Sequence, residues 1–185
     1  MKDLINKSIQ NHYEVLEHIN QDIINSACNI IVEAIKKDKT IFWCGNGGSA
    51  SQANHLSAEL IGGMYQKKIK PFKSICLNVD TAFITAWSND DSFDNIFVRQ
   101  LEAISKAGDI LIGLSTSGNS PNIINAAKFA QANKLNVISL TGNDGGTLNS
   151  FSDININISS NSTQRIQEMH ILIGHIICDI VEQYS

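Results

Sequence analysis

The chain has 185 residues, 43% of them hydrophobic and 17% charged, which is the balance of a globular protein able to bury a substantial core. A formal net charge of −4 excludes a nucleic-acid binder that works by broad phosphate neutralisation. No apolar run approaches the ~20 residues of a membrane span, so neither nucleic acid nor a membrane is an expected partner.

In chain order, residues 3 to about 37 carry two apolar stripes at helical spacing, Leu4–Ile5–Ile9–Tyr13–Leu16–Ile19 and Ile23–Ile24–Ala27–Ile30–Ile31–Ala34–Ile35. They predict a helical extension over 1–37, ahead of an α/β core over 38–185. The first residues lack a signal-peptide core, so the expected location is cytoplasmic. TIFWCG (40–45) reads as a buried strand closed by glycine, and GSASQANHLSAELIGGM as a helix ending near Gly62 and Gly63. SICLNV (74–79) is a second strand. TAFITAWS and SFDNIFVRQLEAIS are helices separated by the polar turn SNDD. DILIGLS (109–115) is a third strand, and Pro121 opens a helix over roughly 121–133. NVISLT (136–141) and DININI (153–158) are the last strands, before a long helix from about 163 to 183.

Continuously apolar strands alternating with helices predict a five-stranded parallel sheet covered on both faces, within one domain over 1–185. Ligands of such sheets bind beyond the carboxyl ends of the strands. The expected loops there are 45–49, 88–91, 115–120 and 141–146. Cys28, Cys44, Cys76 and Cys178 show no metal-binding spacing, and their apolar neighbours predict buried, reduced thiols.

LSTSGNSPN (114–122) ends a strand with three serines and a threonine just before a helix start. Hydroxyl donors, a close backbone approach at Gly118 and the free N–H groups of a helix N-terminus suit a phosphate dianion without Lys or Arg. CGNGGSA (44–50) has the same position but lacks the dinucleotide and Walker A spacings. Asn46 there can donate to and accept from a polyol, and Gly47 and Gly48 let backbone come close; a plain tight turn accounts for them equally well. His55 and Glu59 share a helix face and suit either a divalent ion or proton transfer, or simply an exposed polar face. In the last helix, Gln167, Glu168, His170 and His175 stand among Ile, Leu and Met. Gln167 and His175 lie ~80° apart in azimuth and ~12 Å apart along the axis, so their side chains can just converge, with Gly174 leaving room. Spacing leaves open which histidine matters. Asn89 and Asp90 can bond sugar hydroxyls or serve an ordinary polar turn.

These motifs in this order resemble the sugar isomerase (SIS) superfamily and, within it, the phosphoheptose isomerase family, over about residues 3 to 183. The resemblance implies interconversion of D-sedoheptulose 7-phosphate and D-glycero-D-manno-heptose 7-phosphate in a bacterial heptose pathway. It implies Glu59 and His175 as the acid–base pair and His55, Glu59, Gln167 and His175 as a zinc site. Ser115, Thr116, Ser117 and Ser120 match the phosphate site; Asn46, Gly47, Gly48, Asn89 and Asp90 match the sugar loops. It also implies a homotetramer with active sites at subunit interfaces. Two relatives lack such chemistry: a SIS protein that binds a replication initiator, and a sugar-phosphate-sensing SIS module. The presence of all four acid–base and metal residues argues against the first, and the lack of a further domain or basic extension against the second. The chain departs from the family pattern at Gly63, where relatives often carry Arg, at Gln164, and in the Ser88–Ser92 stretch.

Overall fold

A computed structural model describes residues 1–65 and 70–184. The helices are α1 (Lys2–Leu16), α2 (Gln21–Lys36), α3 (Gly48–Gly62), α4 (Thr81–Asp90), α5 (Ile96–Ile104), α6 (Pro121–Ala132) and α7 (Thr163–Tyr184). The strands are β1 (Ile41–Gly45), β2 (Ser74–Cys76), β3 (Ile110–Ser115), β4 (Asn136–Gly142) and β5 (Ile154–Ile158). All strand pairs are parallel, in the order β2-β1-β3-β4-β5. The order reverses direction between β1 and β3, where a doubly wound sheet opens its binding crevice.

Period-two alternation explains the two cores. Ile41, Trp43, Ile110, Ile112, Leu114, Ile138 and Leu140 face α2, α3 and α7. Phe42, Cys44, Leu111 and Val137 face α5 and α6. Gly113 is the close-packing position of β3: an added Cβ would meet Ile123 at 2.9 Å. The helix α2 begins where Asn20 accepts from the N–H groups of Asp22 and Ile23, an N-cap worth ~1 kcal/mol. By contrast α1 packs on α7 and buries none of its own residues; Leu4, Ile5, Ile9 and Tyr13 stay exposed.

Two boundaries differ from the sequence reading. The second strand stops at Cys76 because the Asn78 side chain takes over the ladder: it accepts from Gly45 N–H at 3.1 Å and donates to Gly45 C=O at 2.9 Å. The turn expected at SNDD is helical through Asp90. Asp80 caps α4 at its start, and Asp91 N–H still reaches Trp87 C=O at 2.9 Å. Residues 88–90 therefore form the last turn of α4, and a 3-10 turn, Phe93–Asn95, follows.

Candidate active site

The helices α3 and α7 run side by side in the same direction. Gln167 lies against Gly48, where an added Cβ would sit 2.6 Å from its Nε2, and Gln52 donates to Gln167 C=O at 2.7 Å. Further along, Gly174 meets Leu56; a Cβ there would fall 2.3 Å from the leucine. Gly174 thus makes room for a neighbouring helix rather than for a ligand. Just beyond it His175 Nε2 stands 2.8 Å from His55 Nε2, and His55 Nε2 is 3.5 Å from Glu59 Oε1. Potential donor atoms of His55, Glu59 and His175 all lie within 4.8 Å of one another. Gln167 stands apart from this trio, over Gly48, about two helical turns before His55.

The structure puts the two histidines of α7 in different surroundings. His170 is fully buried, with Nε2 3.0 Å from Thr141 C=O, and Nδ1 has no hydrogen-bond partner. Burial pushes its pKa down to about 4, so it packs as a neutral ring whose Nε2–H donates to the carbonyl. His175 is half-buried and faces His55. The thiol of Cys178 is also buried; burial chiefly, with the Glu59 carboxylate adding, pushes it up to about 12. All four cysteines are free and buried, as expected.

At the carboxyl edge, the bend after β1 turns at Gly47 (φ 55), the N-cap of α3. Asn46 and Asn122 exchange two hydrogen bonds of 2.9 Å each. In the loop after β3, Ser115 Oγ lies 3.1 Å from Ser120 Oγ, and Ser120 makes no side-chain cap to α6. Its hydroxyl is thus not spent on capping, the bland role for a serine there. Thr116 follows at a half-buried position and Ser117 at an exposed one. The close approach at Gly118 is to the next loop: a Cβ would lie 2.0 Å from Gly145 C=O. Asn119 Oδ1 accepts from both N–H and Oγ1 of Thr147, at 3.0 and 2.9 Å, and Leu148 N–H donates to Gly118 C=O at 2.8 Å. Thr147 and Leu148, which directly follow the 141–146 loop, thus hold the serine loop in place. Asn78, Asn119, Asn122 and Thr147 were missed because each acts through partners remote in sequence. Asn89 and Asp90 are exposed at the end of α4, bonded to each other at 2.8 Å.

The SIS-domain family profile matches residues 6–142. A phosphoheptose isomerase of Aliarcobacter butzleri is 45% identical over 98% of this chain and 97% of its own length. The chain belongs to the phosphoheptose isomerase family of SIS-domain proteins. Solved members share its fold. The phosphoheptose isomerase GmhA from Neisseria gonorrhoeae superposes with a TM-score of 0.92 at 35% identity, covering 98% of each chain. That of Francisella tularensis gives 0.91 at 34% identity, covering 98% of this chain and 96% of its own. Gly63, Gln164 and Ser92 each have a structural use. Gly63 takes φ 78 as the C-cap of α3, its N–H bonded to Glu59 C=O at 2.8 Å, a conformation that favours glycine. Gln164 accepts from Ser162 Oγ at 3.2 Å at the start of α7. Ser92 caps the 3-10 turn by accepting from Asp94 N–H.

Proposed function

We propose that this chain interconverts D-sedoheptulose 7-phosphate and D-glycero-D-manno-heptose 7-phosphate through an enediol. One observation carries the reading: two imidazoles and a carboxylate from α3 and α7 converge within 4.8 Å on the helix that the glycine bend starts. From ketose to aldose, a proton leaves C1, an enediol forms across C1 and C2, and a proton is delivered to C2. The O1 hydroxyl proton passes to O2 in the same conversion. Carboxylate and imidazole are suited to carry these protons, and Glu59 and His175 are the proposed pair. Ser115, Thr116, Ser117 and Ser120 receive the phosphate, with the start of α6 behind them. Asn46, Gly47, Gly48, Gln167, Asn89 and Asp90 contact the sugar.

Zinc is the proposed cofactor, one ion per subunit, and the residues present fit it. Two imidazole nitrogens and a carboxylate oxygen are a zinc donor set. Two of the three separations, 2.8 and 3.5 Å, bracket the roughly 3.3 Å between two donors on one tetrahedral ion, and all three lie within 4.8 Å. His55, Glu59 and His175 would hold it, with Gln167, which stands against Gly48 in this structure, as the proposed fourth ligand. When bound, the ion supplies Lewis acidity toward the substrate oxygens.

The exposed apolar stripe of α1 supports a homotetramer with active sites at subunit interfaces. The proposed setting is the cytoplasm, as the first step of activated-heptose synthesis for a lipopolysaccharide core or capsule. No described helix is long and apolar enough to cross a membrane.

The test is turnover of sedoheptulose 7-phosphate by purified protein supplied with zinc, beside Glu59→Gln and His175→Asn. Aldose phosphate from wild type alone supports the reading. No turnover by wild type, or undiminished turnover by both variants, sinks it. Zinc content of His55→Ala checks the metal site: equal zinc in wild type and variant would remove His55 from it.

A further inference from the structure

We propose that Asn122 is a positioning residue that sets which way the Asn46 amide faces. This rests on the reading of Asn46 as a sugar contact. Asn122 is only 1% exposed, near the start of α6, and has no route to a substrate. Its Oδ1 accepts from Ile123 N–H at 3.0 Å. A backbone N–H can only donate, and although Ser120 C=O shares this one at 3.1 Å, the helix start favours the oxygen end of the Asn122 amide at that position. Oδ1 also accepts from Asn46 Nδ2 at 2.9 Å, and Asn122 Nδ2 donates to Asn46 Oδ1 at 2.9 Å.

The consequence passes outward one amide at a time. A primary amide has two N–H groups and two lone pairs, and a free asparagine can present either end by a half-turn of its terminal torsion. Paired with Asn122, Asn46 has no such choice. One N–H and one lone pair are spent inward; the remaining N–H and lone pair diverge on opposite flanks of the side-chain stem. Sugar hydroxyls, each able to donate or accept, match both: one accepting from the N–H, another donating to the oxygen. The pair links the residue after β1 to the start of α6, the helix that follows β3, and β1 and β3 flank the point where the sheet order reverses. It therefore also ties the glycine bend to the helix behind the serine loop.

The test is a four-protein cycle: wild type, Asn122→Asp, Asn46→Ala and the double variant. Asn122→Asp keeps the acceptor for Ile123 N–H and the side-chain shape, but turns the donor facing Asn46 Oδ1 into an acceptor. Thermal melting confirms that each variant is folded. KM for sedoheptulose 7-phosphate is expected to rise about tenfold in Asn122→Asp, with kcat within about threefold, and to rise similarly in Asn46→Ala. In the Asn46→Ala background Asn122→Asp should add less than twofold, since its target is gone. The link is overturned if Asn122→Asp is silent, or multiplies KM equally in both backgrounds. Asn46→Ala with an unchanged KM overturns the reading of Asn46 and the link with it. If the wild type does not turn the sugar over, calorimetric Kd values for the same sugar phosphate complete the same cycle.

Discussion

The two histidines of α7 sit five residues apart on one helix, yet they occupy opposite environments. His170 points into the core and gives one hydrogen bond to Thr141 C=O. His175 points across to α3 and meets His55 and Glu59 at a half-open surface. The first is held neutral by burial; the second keeps company with groups that can share a proton or an ion. Residue type offers a capacity, and packing decides whether it becomes support or chemistry.

The largest expected effect breaks or confirms this division directly. Replacing His175 by Asn or Glu59 by Gln should cut turnover of sedoheptulose 7-phosphate about 10³-fold while leaving the melting temperature nearly unchanged. His170→Ala should do the reverse, costing about 3 kcal/mol in urea unfolding with kcat of the folded protein within a few-fold. A large kcat loss in His170→Ala with intact stability would invert the comparison.

Acid sharpens it further. His170 titrates at about 4 when folded and near the ordinary 6.5 when unfolded. Between those values the unfolded chain binds the extra proton, so this residue's contribution is full above pH 6.5 and is lost as pH falls toward 4. Wild type should lose about 2 kcal/mol from this source between pH 6.5 and 5, and His170→Ala should lack that part of the slope, read from urea midpoints. The smallest effect concerns the clamp on the serine loop. Thr147→Val removes one of two bonds to Asn119 and should raise KM two- to threefold with kcat unchanged, seen in steady-state kinetics.

Much of the fold was legible because it rests on local pattern. Continuous apolar runs gave five strands, and glycine or proline marked where the helices at Gly48 and Pro121 begin. The carboxyl-edge loops followed from topology. What escaped was side chain replacing backbone. Asn78 shortens β2 by bonding Gly45, a contact 33 residues distant in sequence that no periodicity encodes. Asn89 and Asp90 read as a turn, but polar residues can finish a helix when its last carbonyls still find donors. His55 and Glu59 were visible as a pair, while the rotational setting of α7 against the sheet, which turns His175 toward them and His170 into the core, was not. That setting depends on Leu56 and Gly174, whose meeting no local pattern announces.

The Gly174–Leu56 contact has a mechanical consequence. Leu56 directly follows His55, and Gly174 directly precedes His175. The contact is therefore a fulcrum set beside the two imidazoles. If one helix rocks about it by ~5°, a point ~15 Å along the rod swings by more than ~1 Å, whereas the adjoining residue, ~1.5 Å away, shifts by only ~0.1 Å. Bonds on either side of it, from Gln52 to Gln167 C=O at 2.7 Å and from Met64 N–H to the Glu182 carboxylate at 2.6 Å, tie the pair together beyond the fulcrum, so rocking that would part His55 from His175 is resisted at both ends.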